Sequence, residues 1–133
     1  MKVMLDTNVL ASAVATRGLC ADVLRAVLAE HELVICAQII SELQRVLKDK
    51  FALPRPLVNE FIRLVREDSL LCRPGDLPGI KLKDKDNLGI LSAAVGGGVN
   101  VIVTGDKEMQ MVGMVAGLKI MSPRQFWQEL TKG

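Results

Sequence analysis

Residues 2–8 read KVMLDTN, a short apolar run that ends in the polar triplet Asp6-Thr7-Asn8. Residues 99–106 read VNVIVTGD and follow the same pattern, with Asp106 placed after a two-residue turn. Each run has few polar side chains, which is typical of a strand covered on both faces of a parallel sheet. Because ligands bind beyond the carboxyl ends of such strands, the two aspartates are candidates for one shared site.

Strand-like and helix-like segments alternate along the rest of the chain. This alternation predicts an α/β sandwich with a mostly parallel sheet of four or five strands, in a single domain over residues 1–133. The predicted strands are Lys2–Leu5, Leu33–Cys36, Leu70–Arg73, Val99–Val103 and Leu118–Met121. The predicted helices cover 9–15, 19–30, 37–50, 57–69, 86–96 and 107–112, and a last helix follows Ser122-Pro123. Pro74-Gly75 and Pro78-Gly79 predict turns in the loosest stretch.

Composition excludes several classes of protein. At 133 residues, 50% hydrophobic and 24% charged, the chain fits one folded domain and not a disordered segment. The net charge of +2 permits a nucleic-acid partner without arguing for one. Aromatic residues make up 3%, which disfavours a base-stacking platform.

The cysteines and apolar segments predict a cytoplasmic protein. Cys20, Cys36 and Cys72 lie far apart, as expected of reduced thiols and not of a zinc site. No apolar run is long enough to span a bilayer, and the N-terminus lacks a signal-peptide core. We therefore expect no membrane association.

Acidic residues supply the candidate chemistry. Asp6 and Asp106 can each cap a following helix or face a crevice at the strand ends, and both interpretations stay open. Glu42 borders the apolar stripe of the helix predicted over 37–50, where a carboxylate is costly unless it is paired or binds a metal. Its other candidate partner is Arg45.

A second acidic pair stands at the start of the helix predicted from residue 86. One of Asp84 and Asp86 is expected to be the helix N-cap, and the other can then point into the crevice. The neighbouring Lys85 and Lys107 can contact substrate phosphates or form a solvated rim.

Several carboxylates in one crevice would repel each other and raise one another's pKa. A divalent cation removes this conflict. Oxygen ligands without a nearby histidine favour Mg²⁺ or Mn²⁺ over zinc, and such ions support phosphodiester hydrolysis.

Four motifs in this order make the sequence resemble the PIN-domain nucleases. They are LDTNVL at 5–10, SEL at 41–43, KDN at 85–87 followed by LSAA at 91–94, and VTGDK at 103–107. The similarity is greatest to the single-domain VapC-like group, described as toxins of toxin–antitoxin pairs. It spans nearly the whole chain.

The resemblance implies a three-layer α/β/α sandwich around a parallel sheet. It also implies hydrolysis of RNA with Mg²⁺ or Mn²⁺, inhibition by a cognate antitoxin protein, and in many members a homodimer. Carried over by motif, the metal-binding and catalytic acids would be Asp6, Glu42, Asp86 and Asp106, supported by Asn8 and Thr104. Related sequences often have proline where Asp84 stands, and we assign the third acid to Asp86 because Asn87 and the next helix align with it.

Two other classes are weighed against a nuclease. A haloacid-dehalogenase-type phosphatase needs a second aspartate where Asn8 stands, so an aspartyl-phosphate mechanism is disfavoured. A PIN-like module that binds RNA or protein without cleaving it stays open as the alternative.

Overall fold

A computed structural model describes residues 1–73, 75 and 81–132 of the chain. Within this part, six strands form one sheet with the order β3-β2-β1-β4-β6-β5. The strands are β1 (Lys2–Leu5), β2 (Glu32–Cys36), β3 (Ser69–Cys72), β4 (Val101–Val103), β5 (Met114–Val115) and β6 (Leu118–Met121). Every neighbouring pair is parallel except β5 and β6. The predicted α/β class and mostly parallel sheet are confirmed.

The prediction of four or five strands is wrong by one strand, β5. This strand has two residues and pairs with β6 across a two-residue turn at Ala116 and Gly117. Both turn residues have positive φ, 49° and 83°, which fits the tight hairpin turn that matches strand twist. The sequence Ala-Gly is a weak signal for such a turn, so the pattern did not reveal the strand.

Seven helices connect the strands in the described part of the chain. They are α1 (Thr7–Ala15), α2 (Leu19–Glu30), α3 (Ala37–Asp49), α4 (Arg55–Glu67), α5 (Lys85–Gly96), α6 (Lys107–Val112) and α7 (Pro123–Thr131). Most predicted helices are right to within two residues. Helix α4 begins and ends earlier than predicted, and Ser69 instead begins β3. The turn predicted at Pro78-Gly79, and Pro74 of the other predicted turn, lie outside the described residues.

Strand order decides which face each helix covers. From β1 the chain steps to β2 and β3 on one side, and later to β4 and β6 on the other side. Because crossovers between parallel strands are right-handed, the two series of helices lie on opposite faces of the sheet. The first four helices therefore cover one face, and α5 and α6 cover the other. This arrangement is the expected three-layer sandwich.

The order in which the chain adds strands to the sheet reverses between β1 and β4. Both strands are central and buried, and Val3, Met4 and Leu5 of β1 are 0% exposed. Leu5 is paired with Val103, and the Asp6 amide donates to the Val103 carbonyl at 3.0 Å. The carboxyl ends of β1 and β4 thus lie side by side at the switch point of the sheet, where ligands bind in folds of this kind.

No helix in the described ranges combines the length and the apolar character needed to cross a bilayer.

Candidate active site

Asp6 lies directly after β1 and is 7% exposed. It is the N-cap of α1, and its Oδ1 accepts a hydrogen bond from the Thr7 amide at 2.8 Å. Its Oδ2 accepts from the Thr104 hydroxyl at 2.7 Å. The two donors fix the orientation of the carboxylate at the switch point.

Thr104 connects the loops that follow β1 and β4. It is 0% exposed, and its hydroxyl donates to Asp6 while it accepts from the Asp106 amide at 3.0 Å. Its carbonyl accepts from the Gln110 side chain at 2.7 Å. With every polar group of Thr104 engaged in this way, the two aspartates are held in a fixed relation.

Asp106 is the N-cap of α6, where its Oδ1 accepts from the Met109 amide at 3.0 Å. The other carboxylate oxygen has no hydrogen bond within the described residues. One carboxylate oxygen is enough to cap a helix. Asp106 and Asp6 can therefore each cap a helix and also face the crevice.

Glu42 projects from the second turn of α3. Its Oε2 accepts from the Thr7 hydroxyl at 3.1 Å, so Thr7 touches Asp6 through its amide and Glu42 through its side chain. Among the described residues, the ion pairs do not include Glu42 with Arg45. The alternative in which Arg45 pairs with Glu42 is therefore not what the structure shows.

Asp84 and Asp86 have different surroundings. Asp84 is the N-cap of α5, and its Oδ1 accepts from the amides of Asp86 and Asn87 at 2.8 and 3.4 Å. The exposed carboxylate of Asp86 accepts no hydrogen bond in the described part of the chain. Glu108, from α6, accepts from the amides of Lys83 and Asp84 and so fixes the segment before α5.

These acids line a single cavity of about 220 Å³, which we call the acidic cavity. Its charged and polar lining residues are Asp6, Thr7, Asn8, Glu42, Arg45, Asp84, Asp86, Asn87 and Asp106. Lys85 and Lys107 are exposed and are not part of this lining. A larger cavity of about 570 Å³, between β6 and α7, has Glu129 as its acid and lies away from the switch point.

Burial and mutual repulsion disfavour the charged forms of two of these acids. Burial raises the pKa of Asp6, and the nearby charges of Asp106 and Asp84 raise it further. Burial likewise raises the pKa of Glu42, with smaller contributions from Asp86 and Asp6. Hydrogen bonds from Thr104 and Thr7 oppose these shifts. The cavity therefore favours binding of a positive charge.

The donor set fits a hard divalent cation, since it consists of carboxylate oxygens. No three of the His, Cys, Asp and Glu side chains in 1–73, 75 and 81–132 are placed so that they could hold an ion together. Mg²⁺ commonly binds through one or two carboxylates and completes its shell with waters and substrate phosphates. Asp6 and Glu42, whose carboxylates are already oriented by Thr7, are suited to be such ligands.

Two residues at the site were missed by sequence reasoning. Thr7 links Asp6 to Glu42, and Asn87 lines the acidic cavity. Asn87 is 7% exposed, and its Nδ2 has no hydrogen-bond partner within the described residues. A buried amide without a partner is rare, so this Nδ2 is an exception among the polar groups of the site. Both residues lie inside the motifs LDTNVL and KDN, but their residue types alone do not distinguish them from ordinary helix-start residues.

A model of the PIN domain family matches residues 2–108 of the chain. The chain therefore belongs to the PIN domain family, and the predicted resemblance is confirmed. Among curated proteins, none is similar enough to the sequence to count as a match.

One similar solved structure is described as VapBC2 from Rickettsia felis bound to a DNA fragment from their promoter. The TM-score is 0.62 and the sequence identity 15%, over 90% of this chain and 97% of that one. At this identity the likeness shows a shared fold.

Proposed function

We propose that this protein is an endoribonuclease that hydrolyses RNA phosphodiester bonds at the acidic cavity with Mg²⁺ or Mn²⁺. The observation that carries the proposal is the convergence of Asp6, Glu42, Asp86 and Asp106 on one cavity at the switch point. These acids come from four separate parts of the chain. A cation that draws on several carboxylates gives a reason for this convergence beyond the helix caps that Asp6 and Asp106 form.

The residues of the acidic cavity would have different roles in binding the cation. Asp6 and Glu42 are held by Thr7 and Thr104, so they would bind the cation with little reorganisation. Asp86 and Asp106 lie in or before the first turns of two helices and would contact waters bound to the cation. When bound, a divalent cation supplies Lewis-acid chemistry that activates water and stabilises the leaving oxygen.

We further propose that the protein is the toxin of a toxin–antitoxin pair, with a cognate antitoxin protein as partner. Family membership and the fold shared with the Rickettsia felis VapBC2 structure support this assignment. A homodimer of single-domain chains is the proposed assembly. Three free thiols suit the reducing cytoplasm, where RNA substrates are present.

The test is cleavage of a mixed RNA pool with the 5′ ends mapped, in Mg²⁺, in Mn²⁺ and in chelator. Wild type should cut only with metal, and Asp6→Asn and Asp106→Asn should lose cutting. Asp68→Asn, an exposed aspartate at the end of α4, is the matched control and should cut like wild type. Equal cutting by all four proteins would contradict the proposal. RNA binding that ignores chelator, without any cutting, would instead support the non-catalytic module.

A further inference from the structure

A groove between α3 and α4 lies next to the acidic cavity. It consists of two adjoining depressions of about 480 and 290 Å³ that share the lining residues Gln44 and Asn59. We call it the α3–α4 groove and define it by its polar lining residues, Gln44, Lys48, Arg55, Asn59, Arg63 and Arg66. Four of these six are cations, and none is a carboxylate.

Most of these cations are available to a ligand. Arg63 is engaged with Glu60 and Glu67 on its own helix. Lys48, Arg55 and Arg66 are exposed, and the ion pairs found among the described residues do not include them. The groove is therefore a positive surface beside a negative cavity, in a chain whose net charge is only +2.

Arg45 joins the two regions. It lines the acidic cavity, and Lys48, three residues later on the same helix, lines the groove. Three residues of α-helix correspond to about 4.5 Å of rise, and residues at this spacing share one face. A chain of cations therefore leads from the carboxylates of the cavity into the groove.

We propose that the α3–α4 groove binds the single strand of RNA that flanks the bond cut in the acidic cavity. This inference rests on the proposed function. Arg45, Lys48 and Arg55 would contact successive phosphates. The amides of Gln44 and Asn59 have the donors and acceptors that read base edges, and Leu53 and Val58 supply an apolar wall. RNA is the favoured occupant because its backbone presents a regular series of negative charges to these cations.

The test measures binding of labelled single-stranded RNA to the full chain in chelator, where nothing is cut. The probe, called the long RNA, is a single strand of about 12 nucleotides, since single-strand sites span about 4–16 nucleotides. The variant is Lys48→Glu with Arg55→Glu. The matched control is Lys119→Glu with Arg124→Glu, two exposed cations on β6 and α7.

The groove variant should raise the Kd for the long RNA about tenfold or more. Removing two phosphate contacts should also lower the slope of log K against log salt by about 1.4, because each single-strand contact contributes about 0.7. The control should keep the wild-type slope and Kd, and Lys48→Arg should keep most of the affinity.

Equal Kd values and slopes for the groove variant and its control would overturn the proposal. Tighter binding of polyglutamate than of the long RNA would overturn it as well, in favour of an acidic protein partner. The binding test is independent of the cleavage test. The proposed function would fail if the wild type cut no RNA with Mg²⁺ or Mn²⁺.

Discussion

The Thr104 hydroxyl donates to Asp6 Oδ2 at 2.7 Å while it accepts from the Asp106 amide. Thr104 is 0% exposed and Asp6 is 7% exposed, so water cannot replace either bond easily. One hydroxyl thus couples the ends of the two central strands.

Thr104→Val should destabilise the protein by about 1–3 kcal/mol, because it leaves a buried carboxylate oxygen and a backbone amide without their partner. Valine has nearly the same shape, so packing changes little. Urea unfolding measures the loss, and RNA cleavage should fall with it. Thr104→Ser retains the hydroxyl and serves as the control. A Thr104→Val protein as stable as wild type would show that the bond contributes nothing.

Stability in metal-free buffer should depend on pH through Asp6. Burial raises its pKa in the folded state above the unfolded value of 3.8, so the folded state binds more protons. The contribution of Asp6 to stability is therefore present at low pH and is lost as the pH rises from the unfolded to the folded pKa. Asparagine does not ionise, so the stability of Asp6→Asn relative to wild type should increase between pH 4 and 7.

Unfolding free energies of wild type and Asp6→Asn across this range test that sign. Asp68→Asn is the control and should show a smaller change relative to wild type. A constant difference between wild type and Asp6→Asn would mean that burial does not perturb this carboxyl.

Divalent cations should stabilise the folded protein. A ligand that binds only the folded state adds about 2.7 kcal/mol at about 100 times its Kd. Asp106→Asn should reduce the gain in Tm with Mg²⁺ or Mn²⁺ while it preserves the fold, because asparagine caps a helix as well as aspartate does. Thermal unfolding with and without metal gives the comparison. The same rise in Tm for both proteins would place the ion elsewhere.

The stability of the protein should depend on the two turn residues of the hairpin formed by β5 and β6. Ala116 adopts φ 49°, which is unfavourable for alanine and favourable for asparagine. Ala116→Asn should therefore raise the free energy of unfolding by about 0.5–1 kcal/mol, and Gly117→Ala should lower it by a similar amount or more. Chemical denaturation of both variants checks the turn. A destabilising Ala116→Asn would contradict the hairpin geometry.

The parts of the fold that could be predicted are those indicated by a pattern in their own stretch of sequence. The runs that became β1 and β6 are apolar and bounded by turns, so their limits follow from the sequence. Asp6 and Asp106 come after the ends of two predicted strands, so their location at the carboxyl edge of the sheet could also be predicted. The strand predicted over 99–103 begins later, at Val101, because the Val99 and Asn100 amides bond to Ala94 and Lys2 carbonyls in the connection.

Other features depend on contacts between distant segments. The bond from Thr7 to Glu42 joins residues 35 positions apart. The burial of the Asn87 amide, for which the described residues offer no partner, depends on how the core packs around it. The α3–α4 groove exists because two helices pack side by side. Periodicity identifies the apolar face of each helix but not the surface that the pair creates.

The proposal of a divalent-cation site in the acidic cavity rests on Asp6 and on the acids that line the cavity with it. Anomalous scattering from crystals soaked in Mn²⁺ tests it most directly. We expect a manganese peak in the acidic cavity within coordination distance of Asp6, and a loss of that peak in Asp6→Asn crystals. A saturating soak that leaves the cavity without a peak, or a peak that persists unchanged in Asp6→Asn, would contradict it.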